Sequence, residues 1–454
     1  MRGLGTVARG LWSGVLSAWI CYAEYLGMGA VLGSALLGYG AQNKAAGTLL
    51  VVMSACIACC ILAFSKKPYL SGPRGASLAL AVVVLVWLRG LFPGPASDQV
   101  IQMAAMGLGC GAMVALSSCR VFQKGFDSLP PWLMPAFIYA SAVGIFGGAV
   151  KQYLHSCLLI HELHAWGIFL GATLIGVLWP LGCRSLAFRC SSSRLAKLTA
   201  GLQSLALPLA AGVAWGLYLI SDLNLVQGPY CAKLGGVDID LALLNSRVSA
   251  LIAVEAWPSF VSLACAALGG VLVGGVVAME TQTTVQSLNS DYAQFGTFSK
   301  AEMLKSAAVA GTLMAAAATP TSALSLSRTQ TLWALAKPSP FAVWIHVIAL
   351  AVTALYAGDL IAGMPQIALA VLMALIAIQM IGGSLVSTWR KAYDPNEPIT
   401  TGLRNGLGLW LVIGLTVFTG QVLLAFLVPA LIFFANKFLR LKLIKNRSSL
   451  NQKP

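Results

Sequence analysis

Long apolar stretches follow one another along this chain, separated by short breaks that hold most of its charges. A helix needs about 20 apolar residues to cross the roughly 30 Å hydrocarbon layer, so runs of this length read as transmembrane helices. They are too long and continuous for the strands of a membrane barrel, the other structure that satisfies its backbone in lipid. The pattern predicts spans at 11–33, 44–64, 75–91, 99–119, 131–150, 164–182, 203–221, 258–284, 303–318, 322–336, 341–362, 364–385, 405–420 and 421–437. Two of these, the third and the tenth, are conspicuously short. The first run has a basic start, "MRGLGTVARG", but it is long and holds Glu24. It therefore predicts an uncleaved first helix and not a signal peptide. The expected fold class is an all-α polytopic membrane protein with about fourteen transmembrane segments.

Composition agrees, with 58% hydrophobic and 9% charged residues against about 25% charged in soluble domains. The net charge of +15 would suggest nucleic acid if it were spread over one surface. It is not. With a cytoplasmic N-terminus, the inside loops take Lys66, Lys67, Arg120, Lys124, Arg184, Arg189, Arg390 and Lys391, and the tail after 437 adds more. The largest outside loop, 222–250, holds Asp222, Asp238 and Asp240. This is the positive-inside asymmetry, and it closes with both termini in the cytoplasm of a cell membrane, inner or plasma. No nucleic-acid partner is expected; the lipid bilayer is.

Enzyme chemistry finds little support. "HSCLLIHELH" gathers His155, His161 and His164, but it lacks H-E-x-x-H spacing and reads as an interfacial loop after the fifth span, so no metal is expected. No G-x-S-x-G, Walker A or G-x-G-x-x-G cradle occurs in a strand-to-helix setting, so no cofactor or ATP module is predicted. "CIACC" (Cys56, Cys59, Cys60) falls mid-span and reads as small apolar filler, with no disulfide framework.

Ionisable residues inside spans are costly and are functional candidates by default. Glu24 lies in the first span, Glu255 at the mouth of the eighth and Glu280 deep within it. Asp359, near an end of the eleventh, can reach water and reads as structural. "VLVGGVVAMETQTTVQS" surrounds Glu280 with hydroxyls, and Thr284 at i+4 shares its helix face. A carboxylate and a hydroxyl together can hold a sodium ion or carry a proton. Glu280, Thr284 and Glu24 are the ion-coupling candidates, with H+ or Na+ as the coupling ion.

Two stretches share a second pattern. "KKPYLSGPRGASLALAVVVLVWL" (66–88) and "TPTSALSLSRTQ" (319–330) each place a proline and small polar residues before a short apolar run. Interrupted segments at corresponding places in two halves point to an inverted-repeat transporter. A helix that begins in mid-membrane presents its first unpaired N–H groups and the positive end of its dipole. Two such ends facing one another make an anion site. The candidate substrate-binding residues are Gly75, Ala76 and Ser77 in the first half. In the second they are Ser322, Ala323, Leu324, Ser325, Ser327 and Arg328, with backbone donors at 75–77 and 323–326 and added positive potential from Arg328 and Arg74.

The second half also resembles a known family. Glu280, "KAEML" with Glu302, Pro320 and "SRT" at Ser327–Thr329 follow the order of a membrane acid in the eighth span, "NQEL", a proline and "SRT" in the sulfate permease (SulP) superfamily, which includes the solute-carrier-26 anion exchangers. "GMPQIALAVLMALIAIQMI" (363–381) is similar to that family's twelfth span, "LSGPRGASLAL" to its third, and 129–154 to its fifth. The chain departs from the pattern in several places. Ala307 and Ala310 replace a Gly and an Asn, the Pro320–Arg328 spacing is one residue longer than the family's, and Glu24 stands in a first span without the family's proline. The usual STAS domain is not expected after the spans.

The resemblance implies two inverted repeats of seven, at 1–221 and 251–437, with the external loop 222–250 between them and the basic cytoplasmic tail 438–454 after them. It implies a core of spans 1–4 and 8–11, a gate of spans 5–7 and 12–14, and short half-helices 3 and 10. The function expected is secondary active transport of a small inorganic or organic anion by cation-coupled symport. Sulfate comes first, then bicarbonate or a dicarboxylate, and a homodimer is possible. A proton-coupled nucleobase permease shares the architecture but carries acids in both the eighth and tenth spans, where this chain has Arg328. An integral-membrane enzyme or anchor subunit would need paired intramembrane histidines, and only His346 qualifies.

Overall fold

The computed structural model describes residues 2–37, 41–64, 69–94, 96–119, 155–189, 205–220, 258–291, 297–325, 339–356 and 367–378, with isolated positions elsewhere. Most of span 131–150, loop 222–250, spans 405–420 and 421–437, and tail 438–454 lie outside them. The chain divides into two units, 1–127 with 145–376 and 128–144 with 377–454. Everything below concerns the first, which draws on both sequence halves.

Among the described residues, ten of the fourteen expected spans are helical. They are α1 (Arg2–Leu37), α2 (Ala41–Ala63), α3 (Gly75–Leu91), α4 (Ala96–Ser117), α5 (His155–Arg189), α6 (Ala206–Ile220), α7 (Phe260–Asp291), α8 (Lys300–Ala316), α9 (Pro340–Tyr356) and α10 (Ile367–Ile378). Five of those described, α1, α2, α4, α5 and α7, contain an apolar stretch long enough to cross a bilayer. Large apolar side chains such as Leu268, Phe260 and Leu170 remain exposed on them, as helices facing lipid require. This is an all-α, multi-pass membrane protein. One expectation fails: 155–164 is not a loop but the start of α5. The run holds neither Gly nor Pro, so nothing in it stops a helix from extending past the apolar span.

Packing follows the internal repeat. Helix α1 packs on α9 as α7 packs on α4, and α2 packs on α9 as α8 packs on α4. Exchanging the halves turns each pair into the other, as inverted repeats require. Small residues allow the closest approach: a Cβ at Gly109 would strike the Ala267 carbonyl, and one at Gly270 the Met106 carbonyl. Glycine thus lets the backbones of α4 and α7 touch, which is how helices associate where the surroundings are as apolar as the side chains.

At the centre the chain leaves helical structure twice. Ser71–Gly72 forms β1 and Ala323–Leu324 forms β2, paired antiparallel with Ser71 opposite Leu324 and Gly72 opposite Ala323. The ladder continues with the Ser325 N–H donating to the Leu70 carbonyl at 3.1 Å. All four strand residues are buried. Strand pairing satisfies backbone groups that lipid could not.

Candidate functional site

The two interrupted stretches are tied to each other and to the helices around them. The Ser71 hydroxyl donates to the Ala323 carbonyl at 2.8 Å. Thr329 Oγ1 accepts from the Leu70 N–H at 3.1 Å and donates to the Ser325 carbonyl at 2.7 Å. From α2, the Ser54 hydroxyl donates to the Pro320 carbonyl at 2.6 Å and lies 2.7 Å from the Ser322 hydroxyl.

Helix α3 starts directly from β1. Its N-cap, Arg74, is extended and gives no side-chain cap, and the first helical bond runs from the Leu78 N–H to the Arg74 carbonyl at 2.8 Å. Helix geometry therefore leaves the N–H groups of Gly75, Ala76 and Ser77 without an intrahelical acceptor, in residues that are all buried. A small apolar pocket opens on this turn, lined by Met28, Val31, Gly75, Leu78, Ala79, Met373 and Ile376.

Two ion pairs flank the crossing. Arg328 makes a bidentate pair with Glu24, from Nε to Oε2 at 2.9 Å and from Nη2 to Oε1 at 2.8 Å. Its Nη2 also donates to the Pro73 carbonyl at 2.8 Å, and its guanidinium lies 4.6 Å over the Tyr25 ring. Opposite, Arg74 Nε lies 3.8 Å from Glu280 Oε1. Arg74 Nη1 donates to the Leu324 carbonyl at 3.2 Å and to Thr284 Oγ1 at 3.4 Å. Thr284 donates in turn to the Leu324 carbonyl at 3.3 Å. Each pair joins the first helix of one half to the half-helix start of the other.

The sequence matches no family model and no curated protein. Solved structures do match. The transmembrane domain of a cyanobacterium bicarbonate transporter, BicA, aligns over 92% of this chain and 98% of its own, with a TM-score of 0.63 at 15% identity. The murine Slc26a9 anion transporter in the inward-facing state aligns over 95% of this chain and 68% of its own, with a TM-score of 0.61 at 12% identity. A structure of SLC26A9 aligns over 89% of this chain and 62% of its own, with a TM-score of 0.56 at 10% identity. The fold is the SulP/solute-carrier-26 transmembrane fold.

On this fold the candidates separate. Gly75, Ala76 and Ser77 form the first turn of α3 beside the pocket. Ala323 and Leu324 lie in β2, and the Ser325 N–H is taken by Leu70. The expected backbone donors at 323–326 are therefore partly engaged in strand pairing, because a two-residue strand gives no alternation to read in sequence. The Ser322 hydroxyl is hydrogen-bonded to that of Ser54 at 2.7 Å. Arg328 is paired with Glu24, so the positive potential expected from it is balanced by the ion-coupling candidate of the first span. Glu280 and Thr284 do share a face, and Arg74 fills it. Arg328, Thr329, Leu332 and Trp333 have helical backbone, while Ser327, Glu255 and Asp359 lie outside the described residues. His346 is buried and its Nδ1 shares a 2.8 Å hydrogen bond with the Ser17 hydroxyl, which ties α9 to α1. Sequence reasoning missed Tyr25 and gave Arg74 only a generic role. The signal for Arg74 was its place directly after Pro73, where it becomes the N-cap of a mid-membrane helix.

Proposed function

We propose that this protein is a secondary transporter of small anions that works by alternating access. The observation that carries the reading is the start of α3. Three N–H groups without an intrahelical acceptor, at Gly75, Ala76 and Ser77, stand at a helix N-terminus inside the fold, and Gly75 lines a small apolar pocket shared with α1 and α10. Such a terminus attracts anions through its free donors and the roughly half positive charge of the helix dipole. The likeness to the BicA transmembrane domain and to Slc26a9, the one a bicarbonate transporter and the other an anion transporter by name, supports the same reading.

The anion is held chiefly by backbone N–H groups of α3, with Ser77 as a side-chain donor. Movement of this crossing relative to its surroundings exposes it to each side of the membrane in turn. Sulfate, bicarbonate and dicarboxylates are the anions to try, in a cell membrane with both termini in the cytoplasm. The test is counterflow in proteoliposomes loaded with unlabelled anion and presented with labelled sulfate, bicarbonate, chloride, a dicarboxylate or uracil. Saturable exchange of an anion supports the reading. Uptake of uracil without any anion flux would overturn it in favour of a nucleobase permease.

A further inference from the structure

Glu280 and Thr284 are one helical turn apart on α7, and the space between them is filled by Arg74. The guanidinium contacts both, at 3.8 Å from the Glu280 carboxylate and 3.4 Å from the Thr284 hydroxyl. It is held there by the Leu324 carbonyl of β2 at 3.2 Å. Glu280 is buried, at 4% exposure, and its Oε2 has no hydrogen-bond partner among the described residues, with the Ser77 hydroxyl close to the carboxylate. The other charge that acts on it is Arg328, whose own charge Glu24 balances. A lone carboxylate at this depth would need a cation. Here the chain supplies one.

Resting on the anion-transporter reading, we propose that Arg74 is a built-in counter-ion. It takes the place that a sodium ion or proton would occupy at Glu280 and Thr284, so the protein exchanges anions without a coupling cation. A coupling ion works by binding one conformation better than the other, and a cation tethered to the chain is present in both. It contributes charge balance but no gradient to draw on. The transported anion then moves against another anion or down its own electrochemical gradient. Arg74 is the less buried partner, with its side chain 32% exposed against 5% for Glu280, so its guanidinium can adjust while the carboxylate stays in place.

The experiment measures exchange in proteoliposomes with sodium replaced by N-methylglucamine and with the internal and external pH matched or offset. Wild type should exchange anion at the same rate in all conditions. R74Q should lose exchange in N-methylglucamine at neutral pH and recover it with added sodium or acid, by about fivefold or more, as a true coupling ligand would give. R74K should stay cation-independent, and R74Q/E280Q should regain cation-independent exchange because neither charge remains. Accumulation by wild type that follows a sodium or proton gradient overturns the proposal and leaves the transporter reading intact; this arm needs no variant to fold. R74Q exchange that ignores cations also overturns it. If wild type moves no anion at all, the transporter reading falls and the proposal with it.

Discussion

The two carboxylate–guanidinium pairs at the crossing are related by the internal repeat but are built differently. Glu24 and Arg328 meet in a bidentate geometry at 2.8 and 2.9 Å, with Arg328 only 3% exposed, braced by the Pro73 carbonyl and the Tyr25 ring. Arg74 and Glu280 stand 3.8 Å apart, beyond hydrogen-bond range, with Arg74 a third exposed and Glu280 Oε2 without a hydrogen-bond partner among the described residues. Fork-on-fork pairs fix geometry as well as charge. Removing one member of a buried pair leaves an uncompensated charge; in the looser pair Glu280 is buried, and only Arg74 reaches water. The same topology thus yields one lock and one adjustable contact. The lock fixes the second half against α1, and the adjustable contact lies beside the first turn of α3, where the proposed anion binds.

Breaking the lock should have the largest effect. Glu24→Gln leaves the Arg328 charge buried with one neutral acceptor in place of a carboxylate. A loss of about 3 kcal/mol is expected, the low end for buried pairs because the Glu24 side chain keeps 23% exposure. Thermal melting of the detergent-solubilised protein reads it, and an unchanged melting temperature would mean that the pair does not act as a lock. Crowding the lock should cost less. A Cβ at Gly72 would meet Arg328 Nη1 and the Tyr25 hydroxyl, so Gly72→Ala should destabilise by about 1–3 kcal/mol, as overpacking does. If Gly72→Ala melts like wild type, the arginine has room to shift and is less fixed than its contacts imply. The smallest effect lies on the approach to β2. Ala318, just past the end of α8, has φ 47°, a left-handed conformation that favours glycine. Ala318→Gly should raise stability by up to about 1 kcal/mol and leave exchange unchanged.

Much of this fold was legible because it is written in local terms. Span 75–91 coincides with α3, since a proline and small residues mark where a helix starts and the apolar run marks how far it extends. Glu280 with Thr284 was legible as a shared face because i+4 spacing is local too. What could not be read is what depends on the chain crossing itself. Glu24 and Arg328 are 304 residues apart in sequence, and neither carries any local sign of the other. The strands are two residues long, too short for a period of two to be seen, so the engagement of Ala323 and Ser325 in pairing was hidden. Arg74 was legible as a charge next to a half-helix but not as the partner of Glu280. Its reach to α7 depends on β1 turning into α3 beside that helix. The histidine run misled for a physical reason as well: polar residues interrupt the apolar pattern without interrupting the helix.

The most direct measurement is the melting temperature of R328Q set beside that of R74Q under the same conditions. The two substitutions delete the same charge from symmetry-related places. The account predicts that R328Q melts well below wild type, because Glu24 and the Pro73 carbonyl lose a buried partner, while R74Q, measured in sodium so that a cation can still balance the buried Glu280 carboxylate, stays closer to wild type. Equal melting temperatures, or an R74Q that melts below R328Q, would contradict the division into a lock and an adjustable contact.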